Sequence, residues 1–264
     1  MLGCWIDRFL FHQSIYKSEL LSYFMLYLIG LGLNVDGISF EGIKALKRCK
    51  QIYLENYTVE FPYTVKELEK VVGKKIDVLD RDEVEGDRLI KEARKEDVGL
   101  LVYGCPLFAT THMSLLSDAK HSRVKTNVIY STSVFDAIAR TGLQLYKFGK
   151  ITSMPTWKKS YEPYSFLEAV QENQSINAHS LILIDIGLEF KDSLEQLEVA
   201  CKKPEIKVEI DKMIVCSKMG CDDEKILYGL LKDLKKEKVK APFCFIIPSK
   251  MHFLEEEVVE GFGM

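Results

Sequence analysis

From Met25 onward, short continuous apolar runs alternate with stretches whose apolar positions recur every three or four residues. The runs read as buried strands and the spaced stretches as helices covering them. Their alternation predicts βαβ units around a mostly parallel sheet. Residues 26–29 form such a run and meet Gly30, as a buried strand reaching its turn does. Ser39 is placed to cap a helix that buries Ile43, Leu46 and Cys49. A strand at 52–54 follows, then a helix with Val65, Leu68, Val71 and Val72 on one face and Gly73 as its stop. Further strands are expected at 76–79, 98–103 and 127–130. Ser133 then offers an N-cap to a helix whose inward face carries Val134, Ala137, Ile138 and Leu145.

Near residue 150 the pattern restarts. Residues 155–165 hold Pro155 and Pro163 and interrupt regular structure. Strands are expected at 181–186, 213–216 and 243–247. Between the last two, Ile226, Leu227, Leu230, Leu231 and Leu234 are spaced as an amphipathic helix. The expected organisation is α/β, with two α/β domains at 25–150 and 151–264. Residues 1–24 precede them as an appendage. Their apolar patches are broken by Asp7, Arg8, Lys17 and Glu19, so they lack the order of a signal peptide and the ~20 apolar residues that span a bilayer.

Composition narrows this picture by exclusion. The formal net charge of -3 over 264 residues argues against a broad nucleic-acid-binding surface. Only 16 Gly and 7 Pro exclude collagen and low-complexity polymer. The 7 Cys form no C-x-x-C pair, which favours free thiols in a reducing compartment over a disulfide scaffold or a zinc site.

Four polar or glycine-bearing segments sit where buried strands end, and open α/β sheets bind ligands there. The first is Gly30-Leu31-Gly32-Leu33-Asn34, an incomplete dinucleotide fingerprint because position 35 is Val. A tight structural turn is as good a reading of it as a nucleotide site. The second is Gly104-Cys105-Pro106-Leu107-Phe108-Ala109-Thr110-Thr111-His112. His112 there reads first as a cap or structural hydrogen-bond partner, and Cys105 as an inert thiol. The third is Ser131-Thr132-Ser133-Val134, a ligand-holding helix start or simple capping. The fourth is Asp185, with Met219-Gly220 and Asp222-Asp223 further on. No G-x-S-x-G elbow, Walker loop, H-E-x-x-H or metal-ligand spacing is present. These residues alone point to a two-lobed α/β protein with a small-molecule site at strand ends.

From Met25-Leu-Tyr-Leu-Ile-Gly-Leu-Gly-Leu33 to about Val259 the chain resembles the diphthine synthases. The resemblance rests on Tyr53-Leu-Glu-Asn-Tyr-Thr58, Asp80-Arg-Asp-Glu-Val84, Ala109-Thr-Thr-His112 and Thr141-Gly-Leu-Gln-Leu-Tyr-Lys-Phe-Gly149. It continues through Leu183-Ile-Asp-Ile186, Gly220-Cys-Asp-Asp223 and His252-Phe-Leu-Glu-Glu256. The TGLQLYKFG run is similar to the eukaryotic branch. The resemblance implies two domains of the tetrapyrrole-methylase kind, with an S-adenosylmethionine cleft between them, in a cytoplasmic homodimer. It implies repeated methyl transfer to a modified histidine of translation elongation factor 2, giving diphthine methyl ester, with no membrane and no direct nucleic-acid partner. It names no catalytic base and no metal.

Carried over position by position, the implied cofactor contacts are Leu33, Cys105, Phe108, Ser133, Val134, Ile184, Met219 and Phe243. Cys105 and Phe108 stand where the family has the aspartate and second glycine of G-D-P-F-G. Met219 and Phe243 fall where a small aliphatic residue and a histidine are frequent. A neutral thiol cannot replace a carboxylate, and losing one charge-assisted hydrogen bond costs ~1.5–3 kcal/mol. Phe108 also adds bulk where a backbone would approach a ligand. A second expectation therefore stands beside the active enzyme: a non-catalytic homologue that binds elongation factor 2 or the diphthamide machinery. A tetrapyrrole methyltransferase or a nicotinamide-dependent dehydrogenase has weaker support.

Overall fold

The computed structural model describes residues 24–264. The expectation for residues 1–24 therefore lies, Phe24 apart, outside the described residues. Two five-stranded sheets organise the rest.

The first sheet has the order β3-β2-β4-β1-β5, from β1 (Met25–Gly30), β2 (Gln51–Glu55), β3 (Asp77–Leu79), β4 (Val98–Val102) and β5 (Lys125–Ile129). Every pairing in it is parallel. The continuous apolar runs explain the centre: β4 is buried at all five positions and β1 at five of six. A strand covered on both faces has no polar side to show. One face packs Leu46 of α1 (Phe40–Arg48) and Leu68 of α2 (Val65–Val72). The other packs Leu89 of α4 (Arg88–Ala93), which follows the short α3 (Arg81–Glu85), and Leu115 of α5 (His112–His121). Ser39 caps α1 by accepting from the Gly42 N–H, and Gly73 ends α2 at φ 71°, as expected. Val71, however, is 37% exposed and leaves the α2 contact to Leu68 and its neighbours.

The second sheet has the order β6-β7-β10-β8-β9. Its strands are β6 (Thr152–Met154), β7 (Ser180–Ile184), β8 (Lys212–Ser217), β9 (Lys225–Leu230) and β10 (Phe243–Ile247). Only β6 and β7 pair in parallel; the other three pairings are antiparallel. A mostly parallel arrangement thus holds for the first sheet and not for the second. The helix expected across 226–234 is also corrected. Residues 225–230 form strand β9 against β8, and only Leu231–Leu234 turns helically, as α9. Short apolar runs do not separate the two periods, and hairpin pairing with β8 decided this one. One face of this sheet packs Phe166 and Leu167 of α7 (Ser165–Ser175) and Leu194 and Leu197 of α8 (Phe190–Cys201) against Phe245.

Ser133 does begin a helix, α6 (Val134–Ala137), but a 3-10 turn takes over at Ile138–Thr141 and ends at Gly142 with φ 86°. Leu145 falls in a separate turn and is 42% exposed, so it does not extend that helix's inward face. At Gly142 an added Cβ would lie 2.4 Å from Val258, in α10 (Phe253–Glu260). That close approach explains Gly142 in the TGLQLYKFG segment.

Candidate active site

In the first sheet, the loops after β1, β4 and β5 leave the same edge of the parallel strands. Residue 30 must be small because a Cβ there would fall 2.6 Å from the Gly104 carbonyl oxygen. In the second sheet the antiparallel register does the assembling. Cys244 lies opposite Leu183 on one side, and Phe243 opposite Ser217 on the other. The end of β7, the start of β10 and the end of β8 therefore lie side by side.

The two sets of loops face one another. Asn34 Nδ2 donates to the Gly220 carbonyl at 2.6 Å and the Cys221 thiol to the Leu33 carbonyl at 3.5 Å, while Tyr103 Oη, from the first sheet's own side, also donates to the Leu33 carbonyl at 3.0 Å. Leu33, Tyr103, Val134 and Phe135 share one apolar cluster with Leu181, Cys216, Met219 and Cys244. Between the loops lies a cleft of about 1010 Å³ of empty space, counted out to its open mouth. Leu33, Cys105, Phe108, Ser133, Val134, Ile184, Met219 and Phe243 all line it.

The floor and the mouth of this cleft differ. Leu33, Cys105, Cys216, Met219 and Cys244 are buried, and no carboxylate or basic side chain is among them. The Cys216 thiol is held neutral by its hydrogen-bond neighbour Cys244 and by burial, both of which push its pKa well above the ordinary range. At the mouth stand Phe108, 45% exposed, and the exposed carboxylates Glu60 and Asp185. Phe108 meets Phe135 edge to face with centroids 5.2 Å apart. Asp185 is held by the Thr156 N–H, which donates to its Oδ2 at 3.0 Å. Among the described residues, no lysine, arginine or histidine lines the cleft.

Several side chains here serve the scaffold. His112 is buried, and its Nδ1 lies 2.9 Å from the Pro106 carbonyl, so the ring pins the loop carrying Cys105 and Phe108. Glu55, fully buried, accepts from the Tyr57 N–H at 3.3 Å and from Thr58 Oγ1 at 2.5 Å. It fixes the next loop over the cleft and offers no carboxylate to a ribose there. The Ser133 N–H and hydroxyl both engage Asp136, and the hydroxyl also accepts from Phe135 N–H. Capping thus occupies its polar atoms, leaving it a wall of the cleft.

Residues 25–235 match the tetrapyrrole (corrin/porphyrin) methylase family. A diphthine synthase of Methanocaldococcus jannaschii is 38% identical over 251 residues, covering 89% of this chain and 98% of that protein. The chain belongs to the diphthine synthase family. A diphthine methyl ester synthase of Schizosaccharomyces pombe is 32% identical over 91% of this chain and 95% of its own length. A crystal structure provisionally assigned to a diphthine synthase of Entamoeba histolytica superposes with a TM-score of 0.82. That pair is 31% identical, over 91% of this chain and 99% of the other.

A methylase of this family implies a sulfonium methyl donor, and the cleft's donor set fits one. The neutral, apolar floor suits a flat base and an aliphatic chain. The carboxylates and rings of the mouth suit a cation, and no basic side chain opposes it. Sequence reasoning had singled out Asp185 but passed over Glu60, Tyr103 and Phe135. Phe135 was within reach, since it follows the cap at Ser133 by two residues. Glu60 sits in a loop without any pattern, and only the fold brings it to the mouth.

Proposed function

We propose that this protein transfers methyl groups from S-adenosylmethionine to the diphthamide precursor of translation elongation factor 2, giving diphthine methyl ester. The observation that best supports this reading is one cleft lined by strand-end loops of both sheets, uncharged at its floor and anionic at its mouth. The cofactor supplies an electrophilic methyl group, so the chain's own tasks are alignment and exclusion of water. Leu33, Cys105, Ser133, Val134, Ile184, Met219 and Phe243 would hold the cofactor, with Phe108 at the entrance. The buried thiols and Met219 keep water from the reacting centre. Glu60 and Asp185 lie where a substrate amine would enter.

The two sheets support a division into two domains near residue 150, since β5 ends at Ile129 and β6 begins at Thr152. A homodimer is supported by exposed apolar side chains Tyr146, Phe253 and Leu254 around α10. Sedimentation at micromolar concentration tests it. The six described cysteines are free and four are buried, which suits a cytoplasmic setting.

The deciding experiment incubates purified protein with S-adenosylmethionine and precursor-bearing elongation factor 2, then reads the modified peptide by mass spectrometry. Stepwise methyl additions are expected, and unchanged peptide overturns the reading. A second reading, a non-catalytic homologue, is favoured by Cys105, which offers a thiol and no carboxylate, and by the bulk of Phe108 at the mouth. It requires cofactor binding to be absent.

A further inference from the structure

Among the described residues the cysteines are free. Cys49 spends its thiol on the Ala45 carbonyl at 3.4 Å, and Cys221 spends its own on the Leu33 carbonyl at 3.5 Å. Cys216 and Cys244 instead face each other. The register of β8 and β10 sets them directly opposite in antiparallel strands. Residues so placed stand about 4.5–5.5 Å apart at Cα and project to one face of the sheet. That separation lies within the range over which two cysteines can be bridged. The row across the sheet reads Leu183, Cys244, Cys216, Ile226, so apolar side chains flank the pair on both sides. Both cysteines are buried, yet both line the cleft, which opens to solvent. The cofactor contacts implied by the family resemblance include neither.

We propose that Cys216 and Cys244 form a dithiol site for neutral trivalent arsenicals at the floor of the cleft, one arsenic bridging both sulfurs. In water such a reagent is R–As(OH)2. Two As–S bonds form and two As–O bonds break. Each S–H proton leaves with one hydroxyl as water, and arsenic stays trivalent, so neither oxidant nor reductant is needed. The surroundings select this class over soft metal cations. A metal ion is held by thiolates. The Cys244 neighbour and burial push the Cys216 pKa well above its ordinary range, and no lysine, arginine or histidine among the described residues lines the cleft to offset a thiolate. An uncharged arsenical takes the thiols as they are and enters an apolar floor without desolvating a charge. With the second sulfur already in place, the second As–S bond closes intramolecularly.

The test uses the full chain and phenylarsine oxide, read by intact mass after a challenge with excess glutathione. One aryl-arsenic adduct per chain is expected to survive glutathione and to be removed by 2,3-dimercaptopropanol. Digestion without reductant should recover the β8 and β10 peptides joined by one arsenic. Cys216→Ser and Cys244→Ser each leave a single As–S bond, which glutathione should exchange at least about a hundred-fold faster. Cys105→Ser, in the same cleft, should keep the resistant adduct. Cys216→Ala repeats the test without burying a hydroxyl, and circular dichroism establishes that each variant is folded. Absence of a resistant adduct on the unaltered chain, its survival in the Cys216 and Cys244 variants, or its loss in Cys105→Ser overturns the proposal. These measurements follow the mass of arsenic and not methyl transfer, so their outcome stands apart from the methyltransferase reading.

Discussion

The cleft and the far end of the second sheet treat charge in opposite ways. At the far end Glu255 is buried and saturated with partners. Its carboxylate pairs with Lys147, accepts from the Gln144 N–H at 2.9 Å and the His252 N–H at 2.7 Å, and meets His179 Nε2 at 3.2 Å. His179 Nδ1 in turn accepts from the Ser249 N–H at 2.9 Å. This cluster ties the TGLQLYKFG segment, the start of β7 and α10 together. In the cleft the carboxylates stand exposed at the rim, and the floor is uncharged. A buried charge requires every one of its partners, whereas a rim charge needs none to stay folded. Cys105 and Phe108 lie in the cleft, where a change alters ligand affinity before it alters the fold.

The sharpest way to break the comparison is Glu255→Gln. Removing one member of a buried ion pair leaves Lys147 uncompensated, and about 3–5 kcal/mol of stability should be lost in urea unfolding. A loss below 1 kcal/mol would show that the cluster is as tolerant as the rim. The same cluster sets the acid response. Burial pushes the Glu255 carboxyl upward, but Lys147, two backbone N–H groups and His179 outweigh it and hold its pKa at about 2, below the ordinary 4.5. The unfolded chain therefore takes up this proton first. The stabilisation is complete above pH 4.5 and falls away as the pH drops toward about 2. Burial also lowers the His179 pKa from 6.5, overcoming the attraction of Glu255, so His179 too loses stabilisation as the pH falls below that value. Stability measured against pH should decline on acidification, and Glu255→Gln should flatten the part below pH 4.5.

Gly30→Ala should be the largest single change to the loops that frame the cleft. Its Cβ would fall 2.6 Å from the Gly104 carbonyl oxygen, so the two loops must part. Overpacking of this kind costs about 1–3 kcal/mol, and cofactor affinity measured by calorimetry should fall with it. The smallest expected effect is on ligand affinity, and it sharpens the contrast. Cys105→Asp places a carboxylate where the family resemblance implies one, and cofactor affinity should rise by about ten-fold. Unchanged affinity would mean that the ring-lined mouth already supplies the attraction.

The elements with continuous burial were legible before any coordinates. Strands β1 and β4 announce themselves because both faces are covered and every residue is apolar. The caps at Ser39, Gly73 and Ser133 were legible because each needs a local side chain or a left-handed backbone. Residues 225–230 were not, since six residues with mixed burial fit either period. The eight residues carried over from the family meet in one cleft, yet none of their spacings encodes that meeting.

By itself the sequence determined the local states: which continuously apolar runs are strands, where the capped helices start, and which family the chain resembles. These depend on interactions within a few residues. The tertiary structure alone decided that β10 runs antiparallel between β7 and β8, which puts Ile184, Phe243 and Met219 on one side of a cleft and Cys105 on the other. It alone decided that Glu60 and Asp185 share the cleft mouth while Glu255 is enclosed. Register and burial arise from contacts between residues far apart in the chain, and no local pattern carries their energies.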